Sequence, residues 1–374
     1  MKKLFLIFSL FCLVLTGCGK KDQKEVLREF EKKVNEANSY YLTGNMELTN
    51  NEDVYTYKIM VSYSKDDNYK IELVNMVNDH KQVILRNKDG VYIITPSLNK
   101  SFKFQSDWPY NNSQVYLLAS LLDDIRNDDK REFEDSSEGY VFTSSVNYPN
   151  NEKLVKQKVY FDKDYLPKMV EVIDNDGNVQ IKMVFDKIDL KVAFNDTYFD
   201  LNSILDTQNG IQNRKDNDKT ATNNNDNQNN NQNDNNNDNN NLENQEPNNN
   251  SENTNNTKQT ATIDDIIYPM YLPVNTYLTG QKRVSTDSGE RLILTFTGDK
   301  SFVLVEETAK YTNMPEIIPT YGSVELIGPS LAVVNENSAN WFNNGIEYYV
   351  VSDVMDTDEL LQVVRSISVL PVSK

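Results

Sequence analysis

The sequence predicts an α+β protein in two globular parts, each built mainly from antiparallel strands with few helices. A helix-like apolar period at residues 23–38 precedes many short runs in which every second residue is apolar. An asparagine-rich segment then interrupts the chain after residue 206. A second set of strand-like runs follows and ends in one amphipathic helix. These three observations place two folded parts on either side of a linker.

The N-terminus has the features of an export signal. Two lysines precede an apolar run at residues 4–15, which is shorter than the ~20 residues that a membrane-spanning helix needs. We therefore interpret residues 1–17 as a signal peptide. Leu15-Thr16-Gly17-Cys18 resembles the lipobox of bacterial lipoproteins. The resemblance implies that Cys18 carries a diacylglyceryl lipid and that residues 18–22 form a lipidated N-terminus on the outer face of the cytoplasmic membrane.

The first globular part, residues 23–206, is predicted to begin with an amphipathic helix. Apolar residues recur every three or four positions over residues 23–38. Strands follow, because alternate residues from Tyr55 to Tyr63 are apolar or aromatic. Asn87-Lys88-Asp89-Gly90 is a turn sequence between two further apolar runs. We expect hairpins of one sheet, with strands that include residues 55–63, 69–73, 83–86 and 91–95.

A second helix is predicted at residues 113–126, where an apolar stripe occurs and Asn112 or Ser113 can cap the first turn. Trp108-Pro109 breaks the chain just before it. Asp174-Asn175-Asp176-Gly177 suits a tight hairpin turn. The same run resembles part of a calcium loop, but it lacks the other spaced ligands and the distal glutamate. The strands predicted after this helix are residues 140–148, 154–161, 168–174 and 178–188.

Several phrases in this part resemble the LolA-type lipoprotein carrier fold. They are residues 159–171 (VYFDKDYLPKMVE), the turn Asp176-Gly177-Asn178, Phe185-Asp186-Lys187-Ile188, and residues 195–201 (NDTYFDL). The resemblance covers residues 23–206. It implies a strongly curved antiparallel half-barrel with helices over its apolar concave face, where such carriers hold acyl chains.

The transport role of those carriers does not transfer directly, because they are soluble whereas this chain is predicted to keep an anchor. The Lys- and Asn-rich style is similar to that of GerS-like sporulation and germination lipoproteins of Firmicutes. That resemblance implies a half-barrel that engages a partner protein.

One strand face is the candidate ligand or partner surface. Tyrosine and aliphatic side chains alternate along it, and tyrosine suits a surface that contacts a protein or a lipid. The alternative is that these are ordinary sheet residues, since tyrosine favours strands. The residues concerned are Tyr55, Tyr57, Ile59, Val61, Tyr63 and Tyr69.

The segment between the two parts is predicted to be disordered. Residues 221–250 contain 18 asparagines and only three apolar side chains, so burial could not offset the entropy of ordering. We set the linker at residues 207–262. A flexible chain of this length would span roughly 40 Å, so the two parts are expected to act separately.

The second globular part, residues 263–374, is predicted to be a small α+β domain. Its strands are expected at residues 292–297, 301–306, 323–327, 331–335 and 346–352, with Thr297-Gly298-Asp299 as a hairpin turn. A closing helix is expected at residues 358–366, capped by Asp356 or Thr357.

Three phrases in this part resemble a domain of unknown function found in Gram-positive sporulation lipoproteins and anti-sigma-factor-like proteins. They are residues 269–274 (PMYLPV), 344–351 (NGIEYYVV) and 358–367 (DELLQVVRSI), although Asn275 replaces the usual glycine. Trp341 and Phe342 lie beside a loop sequence. They are interpreted either as an exposed interaction tip or as residues buried against the closing helix.

Composition argues against most enzyme classes. The two cysteines are Cys12, within the signal peptide, and Cys18, so the mature chain has no thiol for a nucleophile, a disulfide or a zinc site. His80, the single histidine, is expected in a solvated loop. Composition does not exclude carboxylate chemistry such as glycoside hydrolysis, but no individual Asp or Glu stands out as a catalytic residue. We predict no enzyme activity, no cofactor and no metal.

The formal net charge of −18 opposes binding to nucleic acid and to anionic surfaces. Three functional hypotheses remain. The half-barrel docks an envelope protein, or it holds a lipid, or the second part senses the state of the envelope. Large inward-facing side chains, including Tyr57, Ile59 and Tyr69, would favour the hypothesis that the half-barrel docks an envelope protein.

Overall fold

The computed structural model describes residues 21–50, 53–105, 112–205, 262–287 and 289–367. The predicted signal peptide, Cys18, Trp108-Pro109 and nearly all of the predicted linker lie outside these residues. The described chain is α+β, as predicted.

The first part begins with helix α1, Gln23–Glu36, which buries Val26 and Phe30 one turn apart. Its strands then follow as a meander, and the predicted turn at residues 87–90 joins two of them. A short 3₁₀ turn, Pro96–Leu98, precedes the sixth strand. These strands are β1 (Ser39–Asn50), β2 (Asp53–Ser64), β3 (Asn68–Asn75), β4 (Lys81–Asn87), β5 (Gly90–Thr95) and β6 (Lys100–Phe104).

Helix α2 spans Leu118–Asn127 and therefore begins five residues later than predicted. Neither Asn112 nor Ser113 caps it, because the N-cap position is Leu117, and no side chain caps the first turn. The backbone N–H of Ser113 instead donates to the Asn147 carbonyl at 2.8 Å. Ser113 thus runs beside the chain that follows β8. The remaining strands of this part are β7 (Glu132–Asp135), β8 (Tyr140–Ser145), β9 (Leu154–Phe161), β10 (Pro167–Asp174) and β11 (Val179–Asp189).

These eleven strands form one antiparallel sheet in the order β6-β5-β4-β3-β2-β1-β11-β10-β9-β8-β7. Laid flat, eleven strands at ~4.8 Å spacing would be about 50 Å wide. Side chains from both ends of this order nevertheless share one core with α1 and α2, including Phe104 of β6 and Phe142 of β8. The sheet is therefore strongly curved around the helices. This is the open half-barrel that the LolA-type resemblance implied.

A bulge in β1 contributes to the curvature. The register between β1 and β11 shifts between Thr43 and Gly44. A side chain at Gly44 would place its Cβ 2.3 Å from the Val184 carbonyl oxygen, so only glycine allows this close approach. Bulges bend and twist a strand locally, which is what a closing sheet requires.

Described residues cover the convex face of the sheet at β4 and β5. Alternate residues of β4 point to opposite faces, so Val83 and Leu85 face outward while Ile84 joins the concave core. Phe199, Ile204 and Leu205 pack over this outer face. Burial on both faces explains why β4 is a continuous apolar run rather than an alternating one.

The second part contains a seven-stranded antiparallel sheet in the order β12-β13-β14-β19-β18-β17-β16. Helix α3, Thr357–Arg365, packs on one face, and Asp356 caps it as predicted, with the Glu359 N–H donating to Asp356 at 2.8 Å. The strands are β12 (Thr276–Thr286), β13 (Gly289–Gly298), β14 (Phe302–Thr308), β16 (Ser323–Ile327), β17 (Ser330–Asn335), β18 (Ser338–Asn343) and β19 (Ile346–Val351).

The two parts are joined, and the expectation that they act separately is wrong for the described residues. Strand β15, Glu316–Thr320, leaves the second part and pairs in parallel with β6, which makes it the twelfth strand of the first sheet. Leu331, Val333 and Phe342 of the second sheet are buried in the half-barrel core. An open half-barrel exposes a free edge and an apolar face, and the second part covers both.

Candidate functional site

The predicted tyrosine face lies on the concave side of the half-barrel. Tyr57, Ile59 and Val61 are completely buried, and Tyr55 and Tyr69 almost so, whereas Tyr63 is half-buried against Tyr40 and Tyr69. The period of two in β2 places these side chains on one side. Burial raises the pKa of the Tyr57 and Tyr69 phenols, so both remain neutral over the physiological range. The alternating residues of this face are therefore mostly core residues.

Part of this face is occupied by the turn between β16 and β17. The Tyr57 hydroxyl donates to the Gly328 carbonyl, and a Cβ at Gly328 would lie 3.5 Å from the Tyr55 ring. Gly328 has a φ of +50°, a conformation that glycine adopts without strain. The surface predicted to meet a ligand or a partner thus meets another segment of the same chain.

Gln82 of β4 fixes the same turn. Its buried side-chain oxygen accepts from the Leu331 N–H at 2.6 Å, and its nitrogen donates to the Leu331 carbonyl at 3.4 Å. One amide side chain therefore satisfies both backbone groups of a residue 249 positions away. Sequence reasoning missed Gln82 and Gly328, because nothing local to either residue indicates a partner so distant in the chain.

A cavity of about 180 Å³ remains between the half-barrel and the second sheet. Aliphatic side chains from β1, β3, β4, β9 and β11, from the segment before α2, and from β16 and β17 form one part of its wall. This volume is close to the ~150 Å³ of an engineered apolar cavity that binds benzene. The aliphatic lining residues are Met46, Leu48, Leu73, Ile84, Val115, Leu154, Ile181, Val324, Leu326 and Leu331, and Tyr116, Tyr148 and Pro149 also line the cavity.

Polar side chains line another part of the cavity and join the two parts there. Asn150 donates to Glu325 at 2.6 Å and to Ser323 at 3.0 Å, and Arg365 donates to the Asn150 carbonyl at 2.8 Å. Asn50 donates to the Arg365 carbonyl at 2.9 Å. Burial raises the pKa of Glu325 and lowers the pKa of Arg365, although each charge moderates the shift of the other.

A second buried polar cluster lies under α2. Asp124 accepts from the Ser113 hydroxyl at 3.0 Å and from Gln157 at 3.1 Å. Burial raises the pKa of Asp124 to about 7, and the two hydrogen bonds oppose the shift. The side-chain nitrogen of Gln157 makes the bond to Asp124, whereas its side-chain oxygen is buried without a hydrogen bond. This cluster anchors the segment before α2 to the sheet, and Ser113 also lines the cavity.

The expectation of an exposed aromatic tip is wrong. Trp341 and Phe342 lie on β18, and each is only 2% exposed. Trp341 stacks on Tyr348 within the core that includes α3, whereas Phe342 stacks on Phe102 of the half-barrel at 5.7 Å. Successive residues of a strand face opposite sides, so the pair is divided between two cores. Burial against the closing helix was the alternative, and it holds for Trp341.

His80 lies in the loop between β3 and β4 and is half-buried rather than fully solvated, and this burial lowers its pKa. Among the described residues, no group of three or more histidine, cysteine, aspartate or glutamate side chains is arranged to hold a metal ion. Within the same ranges, no helix has the length and apolarity to span a membrane.

The fold and the site together define a class: a half-barrel protein whose concave face is closed by its own second sheet, leaving a small cavity between them. The chain belongs to the YdcC-like family of sporulation proteins. The model described as "Sporulation protein YdcC-like" matches residues 1–199. Sporulation protein YdcC of Bacillus subtilis (strain 168) is 30% identical over 366 residues, which cover 97% of this chain and 95% of that protein. The sporulation-protein type that the sequence resemblance indicated is confirmed.

Solved structures with similar folds are more distant. The MucA/MucB complex of Pseudomonas aeruginosa matches with a TM-score of 0.32 and 12% identity, over 91% of this chain and 98% of that one. The LolA superfamily protein NE2245 of Nitrosomonas europaea matches with a TM-score of 0.29 and 9% identity, over 48% and 98% of the two chains. At these scores the likeness carries no conclusion about partners or ligands.

Proposed function

We propose that this protein is a lipid-anchored, extracytoplasmic binding protein that docks a partner protein in the cell envelope and catalyses no reaction. The lipobox-like sequence at Cys18 supports the anchor. Membership of a family of sporulation proteins supports an envelope role during sporulation.

One observation favours a protein partner over a lipid cargo. The concave face is filled by the chain's own large side chains, among them Tyr57 and Ile59, and by Leu331 and Phe342 of the second sheet. The remaining cavity of about 180 Å³ is small beside the ~300–1,000 Å³ typical of pockets for drug-sized ligands. An acyl chain of ordinary length would have to displace the second sheet.

The cavity supports a second candidate function, the carriage or sensing of a small hydrophobic ligand. Its apolar wall suits one ring or a short alkyl chain, and Asn150 and Arg365 lie beside it to meet a polar end. This alternative requires no movement of the second sheet.

Native mass spectrometry separates the two candidates. The chain from Lys20 to Lys374, produced in a membrane-rich host and purified without detergent, is expected to show the bare protein mass. A bound small molecule that is released on denaturation would overturn the partner proposal in favour of the ligand. If the measured mass is that of the bare protein, the anchored chain should be crosslinked in its native envelope. This is expected to yield one discrete adduct with a second protein. Deletion of residues 263–374, or of the half-barrel, should abolish that adduct.

A further inference from the structure

An apolar surface in the second part is left uncovered by the described residues. We call it the 270–278 surface, and it combines the loop before β12 with the start of that strand. Met270 is 85% exposed, Val274 80% and Tyr277 64%. Tyr271, Leu272 and Leu278 are also among the exposed large apolar residues. Single exposed apolar residues are ordinary, but six within nine positions are not.

The surface is held by the fold rather than being a loose loop. The Met270 N–H donates to the Ser366 carbonyl at the end of α3, at 3.1 Å, and the Thr276 N–H donates to the Pro273 carbonyl at 3.1 Å. Strand β12 is the edge of its sheet, so among the described strands only β13 lies beside Tyr277 and Leu278. Pro269 and Pro273 have no N–H groups, which reduces the cost of removing this backbone from water.

The charge pattern indicates what this surface meets. Residues 266–281 contain no Asp, Glu, Lys or Arg, although a quarter of the chain is charged and about four charges would be average for sixteen residues. The run lies between Asp265 and Lys282, and the nearest charge within the folded surface is Asp299, which accepts from Asn275 at 2.9 Å. Protein interfaces usually keep a charged or polar rim, whereas hydrocarbon strongly disfavours charge.

We propose that the 270–278 surface inserts into a lipid bilayer, as a second membrane contact independent of the N-terminal anchor. Met270 and Val274 project furthest and would enter the hydrocarbon boundary, while Tyr271 and Tyr277 would lie at the headgroup level that tyrosine prefers. Because residues 266–281 themselves carry no charge, a neutral phosphatidylcholine surface suffices, and Asp299, which accepts from Asn275, would lie at the edge of the contact.

The proposed contact lies away from the chain's N-terminal end. The Lys21 N–H donates to Asp135 beside the β7–β8 turn, whereas Met270 bonds to Ser366 next to Arg365, which Asn50 contacts at the far end of β1. The register leads from Asp135 through Tyr140 and Phe161 to Pro167. Extending the β10–β11 register by two residues then reaches the bulge at Thr43 and Gly44 of β1, about seven residues or ~20 Å from Asn50. The surface therefore does not merely extend the anchored end of the chain.

A fluorescent label tests the proposal directly. The chain from Gly19 to Lys374 keeps every described residue and contains no cysteine, so Val274→Cys provides a single attachment point for an environment-sensitive nitrobenzoxadiazole dye. Met314→Cys is the matched control, since Met314 is 79% exposed and lies outside the surface. With phosphatidylcholine vesicles, the dye at position 274 is expected to shift to the blue and brighten at least about twofold, while the dye at 314 stays unchanged.

Two results would overturn the proposal. One is an unchanged dye at 274, which would turn the surface toward a protein partner. The other is an equal response at both positions, which would mean non-specific adsorption. Vesicle flotation of the unlabelled chain completes the test: Met270→Asp with Val274→Asp should abolish flotation, Met314→Asp should not, and salt should have little effect. Loss of wild-type flotation in salt would also reject insertion, because it would indicate attraction through Lys282.

Discussion

Asp124 is the residue whose environment gives the clearest reason for the stability of the fold to depend on pH. Its carboxyl is buried under α2, and its pKa is raised from an ordinary value near 4 to about 7. A raised carboxyl pKa in the folded state adds stability below the unfolded pKa. That contribution is lost as the pH rises through 7, at about 1.4 kcal/mol for each pH unit between the two values.

We expect Asp124→Asn to flatten this pH dependence. An amide cannot ionise, and it can donate to the Gln157 oxygen that otherwise lacks a hydrogen bond. Urea unfolding at pH 5 and pH 8 should therefore show a smaller loss of unfolding free energy for the variant than for the parent. Asp123→Asn, at the neighbouring and more exposed acid, is the control and should keep the parental slope. Parallel slopes for Asp124→Asn and the parent would show that Asp124 titrates normally.

Gln82 stabilises the contact between the two sheets. Replacing it with alanine leaves the buried N–H and carbonyl of Leu331 without their partners, which should cost about 1–3 kcal/mol of unfolding free energy. Hydrogen exchange at the Leu331 amide should become faster in the Gln82→Ala variant. Gln105→Ala, at an exposed glutamine, is expected to change neither quantity. An unchanged Leu331 amide would show that the β16–β17 turn is held by packing alone.

At the scale of single elements, α3 is the helix whose start is best defined. Asp356 accepts from the Glu359 N–H, and the Glu359 side chain accepts from the Asp356 N–H at 3.4 Å, which completes a capping box. Asp356→Ala should lower the unfolding free energy by about 1 kcal/mol. Asp353→Ala removes an equal charge three residues earlier, outside the cap, and should have little effect. Equal losses for the two variants would assign the effect to charge rather than to capping.

The elements that could be predicted are those whose signals are local. The period of two in β2 and the 3.6-residue period in α1 arise from each segment's own burial, and the predicted strands over residues 69–95 agree with β3, β4 and β5. Strands β1, β6 and β7 of the first part and β12, β15 and β18 of the second were not predicted. The side chains of β12 are mostly exposed, and β15 is a strand only because β6 offers a free edge.

The site was less predictable than the elements for the same reason. The alternation of Tyr55 and Tyr57 correctly placed them on one face, but it could not tell a face open to a partner from one covered by Gly328, 271 residues later than Tyr57. Likewise, Trp341 and Phe342 gave no local sign that they belong to two different cores.

At the scale of the whole molecule, the second part completes the first. It supplies the strand that pairs with β6 and the apolar side chains that fill the concave face. A half-barrel without it would expose both an unpaired edge and an apolar surface, which are features that promote aggregation.

This dependence leads to a prediction about the separated parts. Residues 21–205, expressed alone, should bind the dye anilinonaphthalene sulfonate strongly and unfold at a lower temperature than the chain from Gly19 to Lys374. Adding residues 262–374 in trans should reduce the dye signal, because Leu331, Val333 and Phe342 again cover the concave face. The same second part carrying Leu331→Asp and Phe342→Asp is the control and should fail to do so, provided that circular dichroism shows it folded. A half-barrel that binds no dye alone and melts at the parental temperature would show that its concave face closes without the second sheet, and would contradict the dependence of the first part on the second.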